Sequence, residues 1–172
     1  MLKHTKGNLL DLAEAGEFDV VVQGCNCFNT MGGGIAREIR ERYPIAARVD
    51  METKQGDYQK LGTWTECDAG DYFDTNTFSV NNKLAWDSPN RFTIINAYTQ
   101  YNMSTGEDVF EYTAFQLILQ KLVRAYGDKR IGLPYIGMGL AGGDRDIIIP
   151  MIEHFAEQVS EKGGSVTLVE FG

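Results

Sequence analysis

Apolar residues recur along this chain in two rhythms. Short continuous runs are bounded by polar or glycine residues, and longer stretches repeat every three to four positions. The run Val20-Val21-Val22, flanked by Asp19 and Gln23, predicts a strand over 19–23, buried on both faces. Similar runs predict strands over 92–97, 130–133 and 166–171, and a first, edge-like strand over 2–6. Residues 62–67 alternate like a strand, and 78–80 can form another. Helical spacing predicts helices over 9–15, with Asn8 as N-cap, and over 35–42, stopped at Tyr43-Pro44. Further helices are expected over 45–55, over 107–126 ending at Gly127, and over 146–162 ending at Gly163. Residues 68–90 are polar and irregular.

Strands separated by helices imply an α/β fold, with helices on both faces of a mixed, largely parallel sheet. Nothing in the chain reads as a linker, repeat or low-complexity tract, so one domain over 1–172 is expected. In such sheets, ligands bind outside the carboxyl ends of the strands.

Two glycine-rich segments follow strands and so belong at that edge. The first is Gln23-Gly24-Cys25-Asn26-Cys27-Phe28-Asn29-Thr30-Met31-Gly32-Gly33-Gly34-Ile35, which leads into a helix. Glycines let a backbone approach a ligand closely, and the free N–H groups of a helix start favour an anion such as phosphate. The segment lacks G-x-G-x-x-G spacing and has no Gly-Lys-Ser/Thr, so it is neither a dinucleotide fingerprint nor a Walker A loop. The second segment is Leu133-Pro134-Tyr135-Ile136-Gly137-Met138-Gly139-Leu140-Ala141-Gly142-Gly143-Asp144.

Both segments, in this order, resemble the ligand loops of the macrodomain family. Their wording is most similar to the branch containing ADP-ribose 1″-phosphate phosphatases. The likeness covers nearly the whole chain and implies a three-layer α/β/α macrodomain-like fold. It implies that Asn26 binds the distal ribose, though an Asn here also stabilises its own turn. Gly32, Gly33 and Gly34 would approach the diphosphate and distal ribose, or form only a tight turn. Ile35 would pack beneath the ligand or in the core. Gly137, Met138, Gly139 and Leu140 would offer backbone N–H groups to the other side of the diphosphate.

Asn8, with Leu9 after it, stands where many macrodomains carry an aspartate that accepts from the adenine amino group. Its role as helix N-cap is equally open. Phe171 is placed to stack on adenine or to fill the core. Tyr98 and Gln100 follow a strand toward the same edge. Asp144 is the catalytic candidate, since the aspartate of Gly-Gly-Asp is catalytic in the resembled branch and can orient or deprotonate water. Its other role is helix N-cap, which Asp146 can also fill. Gln23 stands where relatives often carry histidine. It is a candidate partner to Asp144 that hydrogen-bonds but cannot shuttle a proton. Arg145 replaces a common aromatic; it can reach a terminal phosphate or lie in solvent. Residues 91–103 contain no lysine, which argues against the lysine-dependent glycohydrolases of the family. His4 and His154 read as structural or exposed.

The net charge of −8 disfavours long nucleic acid as a partner but not a small phosphorylated ligand held by backbone N–H groups. The apolar runs are too short to span a membrane, and the first residues lack the apolar core of a signal peptide. Three cysteines, two of them in Cys25-Asn26-Cys27, favour reduced thiols and a cytoplasmic location, and lack zinc-like spacing. No metal or cofactor is expected. The expected function is binding of ADP-ribose, or a phosphorylated or protein-linked derivative of it, with hydrolysis of ADP-ribose 1″-phosphate. The alternatives are a non-catalytic ADP-ribose reader and an ADP-ribosyl hydrolase of atypical mechanism.

Overall fold

The computed structural model describes residues 1–74, 79–82, 91–102, 109–139 and 141–172. A six-stranded sheet runs in the order β1 (Leu2–Lys6), β8 (Ser165–Glu170), β7 (Arg130–Leu133), β2 (Val20–Asn26), β6 (Thr93–Gln100), β3 (Trp64–Asp68). The first five are mutually parallel, and β3 pairs antiparallel with β6 at the edge. Strands β4 (Asp71–Asp74) and β5 (Ser79–Asn82) form a separate antiparallel pair. The fold is therefore α/β with a mixed, largely parallel sheet, as the alternation of the chain implies.

The period of two along each strand divides the core. Val20, Val22, Ile95, Ala97, Ile131 and Leu133 face α4 (Tyr112–Tyr126) and α5 (Arg145–Glu161). Val21 and Ile94 face the opposite layer, made of α1 (Leu9–Glu14), α2 (Gly34–Arg42) and α3 (Pro44–Met51). Because both faces of β2 are covered, its apolar run is continuous rather than alternating.

Most boundaries fall within two residues of expectation, and three differences have physical causes. Helix α3 ends at Met51 rather than at residue 55. Thr53 Oγ1 donates to the Asp50 carbonyl and Gly56 turns at φ +76°, so the chain leaves the helix there. Helix α4 starts at Tyr112, not at 107, because Phe110 forms an isolated antiparallel bridge with Gln100. Residues 71–74, expected to be irregular, pair antiparallel with 79–82, which overlaps the strand expected over 78–80; Phe78 lies outside the described residues. Among the described residues, no helix is long and apolar enough to cross a membrane.

At the amino edge of the sheet, Asp19 joins β2 to β7. Its carboxylate accepts from the Arg130 backbone N–H at 2.9 Å and from Nε and Nη2 at 3.1 and 2.8 Å. These bonds hold the Asp19 carboxyl below its ordinary value of 3.8. A depressed carboxylate stabilises the fold above its unfolded pKa and loses that contribution as pH falls through its folded one. Asp19→Asn is therefore expected to lower stability at pH 7 by about 1 kcal/mol or less, because the pair is partly exposed. In urea titrations the difference from wild type should shrink as pH falls from 3.8 and vanish only below the folded-state pKa, which lies lower, if this pair accounts for the shift.

Candidate ligand site

At the carboxyl edge, the ends of β1, β7 and β8 and the start of α2 surround a cavity of about 510 Å³. Leu9, Gly34, Ile35 and Phe171, all expected at the site, line it. So do Gly7, Glu38, Pro134, Tyr135, Val169 and Glu170. Phe171 is 81% exposed, so it is no core residue; its ring forms an open wall of the cavity.

The glycine run shapes the start of α2. Gly33 is the N-cap, extended and without any side-chain bond to the helix, and Gly34 enters at φ +57°, a region costly for other residues. The first intrahelical bond of the turn runs from the Arg37 N–H to the Gly33 carbonyl, at 3.3 Å. The N–H groups of Gly34, Ile35 and Ala36 precede it and have no partner within the helix. They carry the positive end of the helix dipole, at the cavity wall formed by Gly34 and Ile35. Gly32 and Gly33 lie just before it, exposed, with nothing within 4 Å of where a Cβ would be.

The second loop is folded on itself. The Gly143 N–H donates to the Gly137 carbonyl at 2.7 Å, and Gly137 sits at φ +76°. A Cβ on Gly137 would lie 2.4 Å from the Phe110 ring. Gly137, Met138 and Gly139 do not line the cavity; Pro134 and Tyr135 of the same loop do. Leu140 lies outside the described residues. Met138 is half-buried against the α4–α5 side of the core, and Gly139 is exposed.

Asp144 is exposed and caps α5, its Oδ1 accepting from the Asp146 N–H at 2.8 Å. Asp146 does not fill that role. The Asp144 backbone N–H donates to the Tyr112 hydroxyl at 2.7 Å. Arg145 is exposed, with its guanidinium 5.0 Å from the centre of the Tyr135 ring, the ring that walls the cavity.

Asn26 is engaged within its own loop. Its Oδ1 accepts from the Phe28 N–H at 2.8 Å, and its Nδ2 donates to Thr30 Oγ1 at 2.7 Å. Asn8 caps α1 through Oδ1, which accepts from the Leu10 and Asp11 N–H groups, while Nδ2 donates to Glu38 Oε1 at 2.8 Å. Asn8 does not line the cavity, and its carbonyl is already engaged, so its assignment as acceptor for an adenine amino group is corrected. The carboxylate side chains on the cavity wall are Glu38, whose Oε1 already accepts from Asn8 and Arg42, and Glu170. Arg42 pairs with Glu38, Asp11 and Glu14, fixing α2 against α1.

Gln23 is also corrected. The strand period turns its side chain toward α3, where it is fully buried and Nε2 donates to Asn96 Oδ1 at 2.8 Å. Asn96 in turn donates to the Ala46 carbonyl and Thr65 Oγ1. Tyr98, 1% exposed, belongs to the same layer, its hydroxyl donating to Asp50 Oδ1 at 2.7 Å. Burial pushes the Asp50 carboxyl up, against the Tyr98 bond and the charge of Lys60. Gln100 donates to the Asn102 carbonyl and is outside the cavity wall. Cys25 and Cys27 are free and buried, with both thiols pushed up by burial. Among the described residues, no three potential metal ligands converge.

No protein-family model matches the chain. An uncharacterised 17.5 kDa protein of Enterobacteria phage T4, from the tk-vs intergenic region, is 27% identical over 165 residues, covering 92% of each. Among solved structures, the macrodomain of Mycobacterium tuberculosis DarG superposes with a TM-score of 0.67 at 20% identity, covering 97% of both chains. This chain has the macrodomain fold. Thermosipho africanus DarTG, solved in complex with ADP-ribose, matches with a TM-score of 0.66 at 15% identity, over 95% of this chain and 40% of that one.

Within the macrodomain fold of this chain, three of the six wall residues missed in the sequence had readable signals. Glu38 lies three residues after Ile35, on the same helical face. Tyr135 stands in the second glycine motif, and Glu170 precedes Phe171. Two glycine substitutions separate loop geometry from open space. Gly33→Glu is expected to melt as wild type does, since its φ of −152° suits any residue and its surroundings are open, yet to abolish binding of an anionic ligand. Gly137→Ala is expected to lose roughly 1–3 kcal/mol of stability, read from its melting curve, because the new methyl strains φ and strikes Phe110.

Proposed function

We propose that this protein binds ADP-ribose, with adenine in the cavity walled by Phe171, Tyr135 and Ile35. The observation that carries this reading is the meeting of an apolar cavity with the uncapped start of α2. The cavity suits a planar base, and Glu38 and Glu170 on its wall can accept from an exocyclic amine. The N–H groups of Gly34, Ile35 and Ala36 suit the diphosphate without any cationic side chain. Gly32, Gly33, Gly137, Met138 and Gly139 continue the two loops that would flank the diphosphate, and Asn26, in the first of them, would meet the distal ribose. Similarity to the ADP-ribose complex of T. africanus DarTG supports the same ligand.

The proposed reaction is hydrolysis of ADP-ribose 1″-phosphate, with Asp144 orienting or deprotonating water. With Gln23 buried, Asp144 acts without that partner. A second reading, a non-catalytic ADP-ribose reader, is favoured by the cap bond that Asp144 already makes to Asp146.

Calorimetry is expected to show tighter binding of ADP-ribose than of AMP; equal affinities would remove the distal half of the site. Asp144→Asn separates the two readings, because asparagine caps a helix as well as aspartate does but cannot accept the proton. The phosphatase reading expects phosphate release to fall about 10²–10⁴-fold at unchanged melting temperature and ADP-ribose affinity. Unchanged release by that variant removes Asp144 as the base, and no release by the wild type leaves the reader.

A further inference from the structure

A buried ammonium lies beneath the first glycine loop. Lys60 is 7% exposed, at the end of a single 3-10 turn, Tyr58–Lys60. That turn is fixed at both ends: Asp57 accepts from the Gln59 N–H, and Thr63 Oγ1 donates to the Lys60 carbonyl at 2.6 Å. The Lys60 ammonium donates to the Cys27 carbonyl at 3.0 Å and to Asn29 Oδ1 at 2.6 Å, and lies 4.8 Å from the centre of the Tyr98 ring. Lysine is almost never buried to this extent unless it is paired, because desolvating its charge is costly.

Both acceptors belong to the turn that carries Asn26 into Met31 and the glycines. Asn29 is held at φ +60°, and among the described residues it alone has positive φ without being glycine. Its amide is gripped from a second side, Nδ2 donating to the Thr53 carbonyl at 3.0 Å. The turn sits on α3 and Lys60, not on the cavity wall.

We infer that Lys60 is the positioning residue of the first ligand loop: its ammonium, bridging Cys27 and Asn29, sets the path of residues 27–30 and so places Asn26. This rests on the reading of the loop as a ligand loop, and acts on the distal half of the ligand rather than on the base. The Cys27 carbonyl also accepts from the Gly56 N–H at 2.7 Å, so replacing Lys60 leaves that acceptor paired. Asn29 Oδ1 loses its ammonium donor, since the single Thr53 hydroxyl proton goes to the Asp50 carbonyl at 2.6 Å.

The test uses Lys60→Met, similar in length and uncharged, and Asn29→Gly, which keeps access to positive φ but removes the amide. Hydrogen exchange on the unliganded protein comes first. The amides of residues 27–30 should exchange at least tenfold faster in both variants, while those of β7 and β8 keep their wild-type rates. Calorimetry follows. ADP-ribose affinity should fall at least tenfold and AMP affinity less than threefold, a split that general destabilisation would not produce.

Wild-type exchange over 27–30 in Lys60→Met overturns the inference, as does an equal loss for both ligands. If both variants fail to fold, Lys60 is a core residue and the inference is wrong. If wild type binds neither ligand, the reading of the site fails, while the exchange result still decides whether Lys60 sets the loop.

Discussion

Helix α2 begins without a side-chain cap, and the arrangement of the carboxyl edge follows from that. Asn8 caps α1 and Asp144 caps α5, whereas α3 opens on Pro44, whose missing N–H removes one orphan donor. Helix α4 also lacks a side-chain cap, but none of its residues lines the cavity. A side-chain cap is typically worth about 1 kcal/mol. At α2 that stabilisation is forgone: Gly33 can make no such bond, and the donors of Gly34, Ile35 and Ala36 stand beside the cavity wall. An anion there gains hydrogen bonds and the helix dipole together. This lets a chain of net charge −8 hold a diphosphate without gathering lysines and arginines around it.

An uncapped helix start is useful only if it is held still. Beneath it, the face of the sheet toward α3 carries polar side chains in place of apolar ones: Gln23, Asn96 and Tyr98 from the strands, and Asp50 and Lys60 from the segments packed on them. Their hydrogen bonds tie β2, β6 and β3 to α3 and to the first ligand loop. A buried network of this kind fixes one geometry, because a shifted loop would leave desolvated donors and acceptors unpaired. On the outer side, Arg42 fixes α2 against α1 through Asp11, Glu14 and Glu38.

The strands and helices were legible because each writes its period into the sequence. The Val20-Val21-Val22 run and the 3.6-residue spacing of α4 and α5 depend on local neighbours alone. So do the two glycine segments, whose place at the carboxyl edge follows from the strands before them. Side-chain direction was harder to read. Whether Gln23 faces a ligand or α3 depends on where α3 packs, a long-range fact that a strand period cannot state. Asn8 and Asp144 each fitted two roles, and only the hydrogen bonds to Leu10, Asp11 and Asp146 distinguish the cap. Lys60 gave no local sign, since its partners lie about thirty residues upstream, at Cys27 and Asn29.

The central claim is that one ligand spans the cavity and the start of α2. An amide NMR titration with ADP-ribose tests this most directly. The account predicts the largest shifts at Gly34, Ile35 and Ala36, together with Tyr135, Glu170 and Phe171. A second, separate hollow lies between α4 and α5, lined by Gln116, His154 and Gln158. Shifts confined to that hollow, with Gly34 to Ala36 unmoved, would contradict the account.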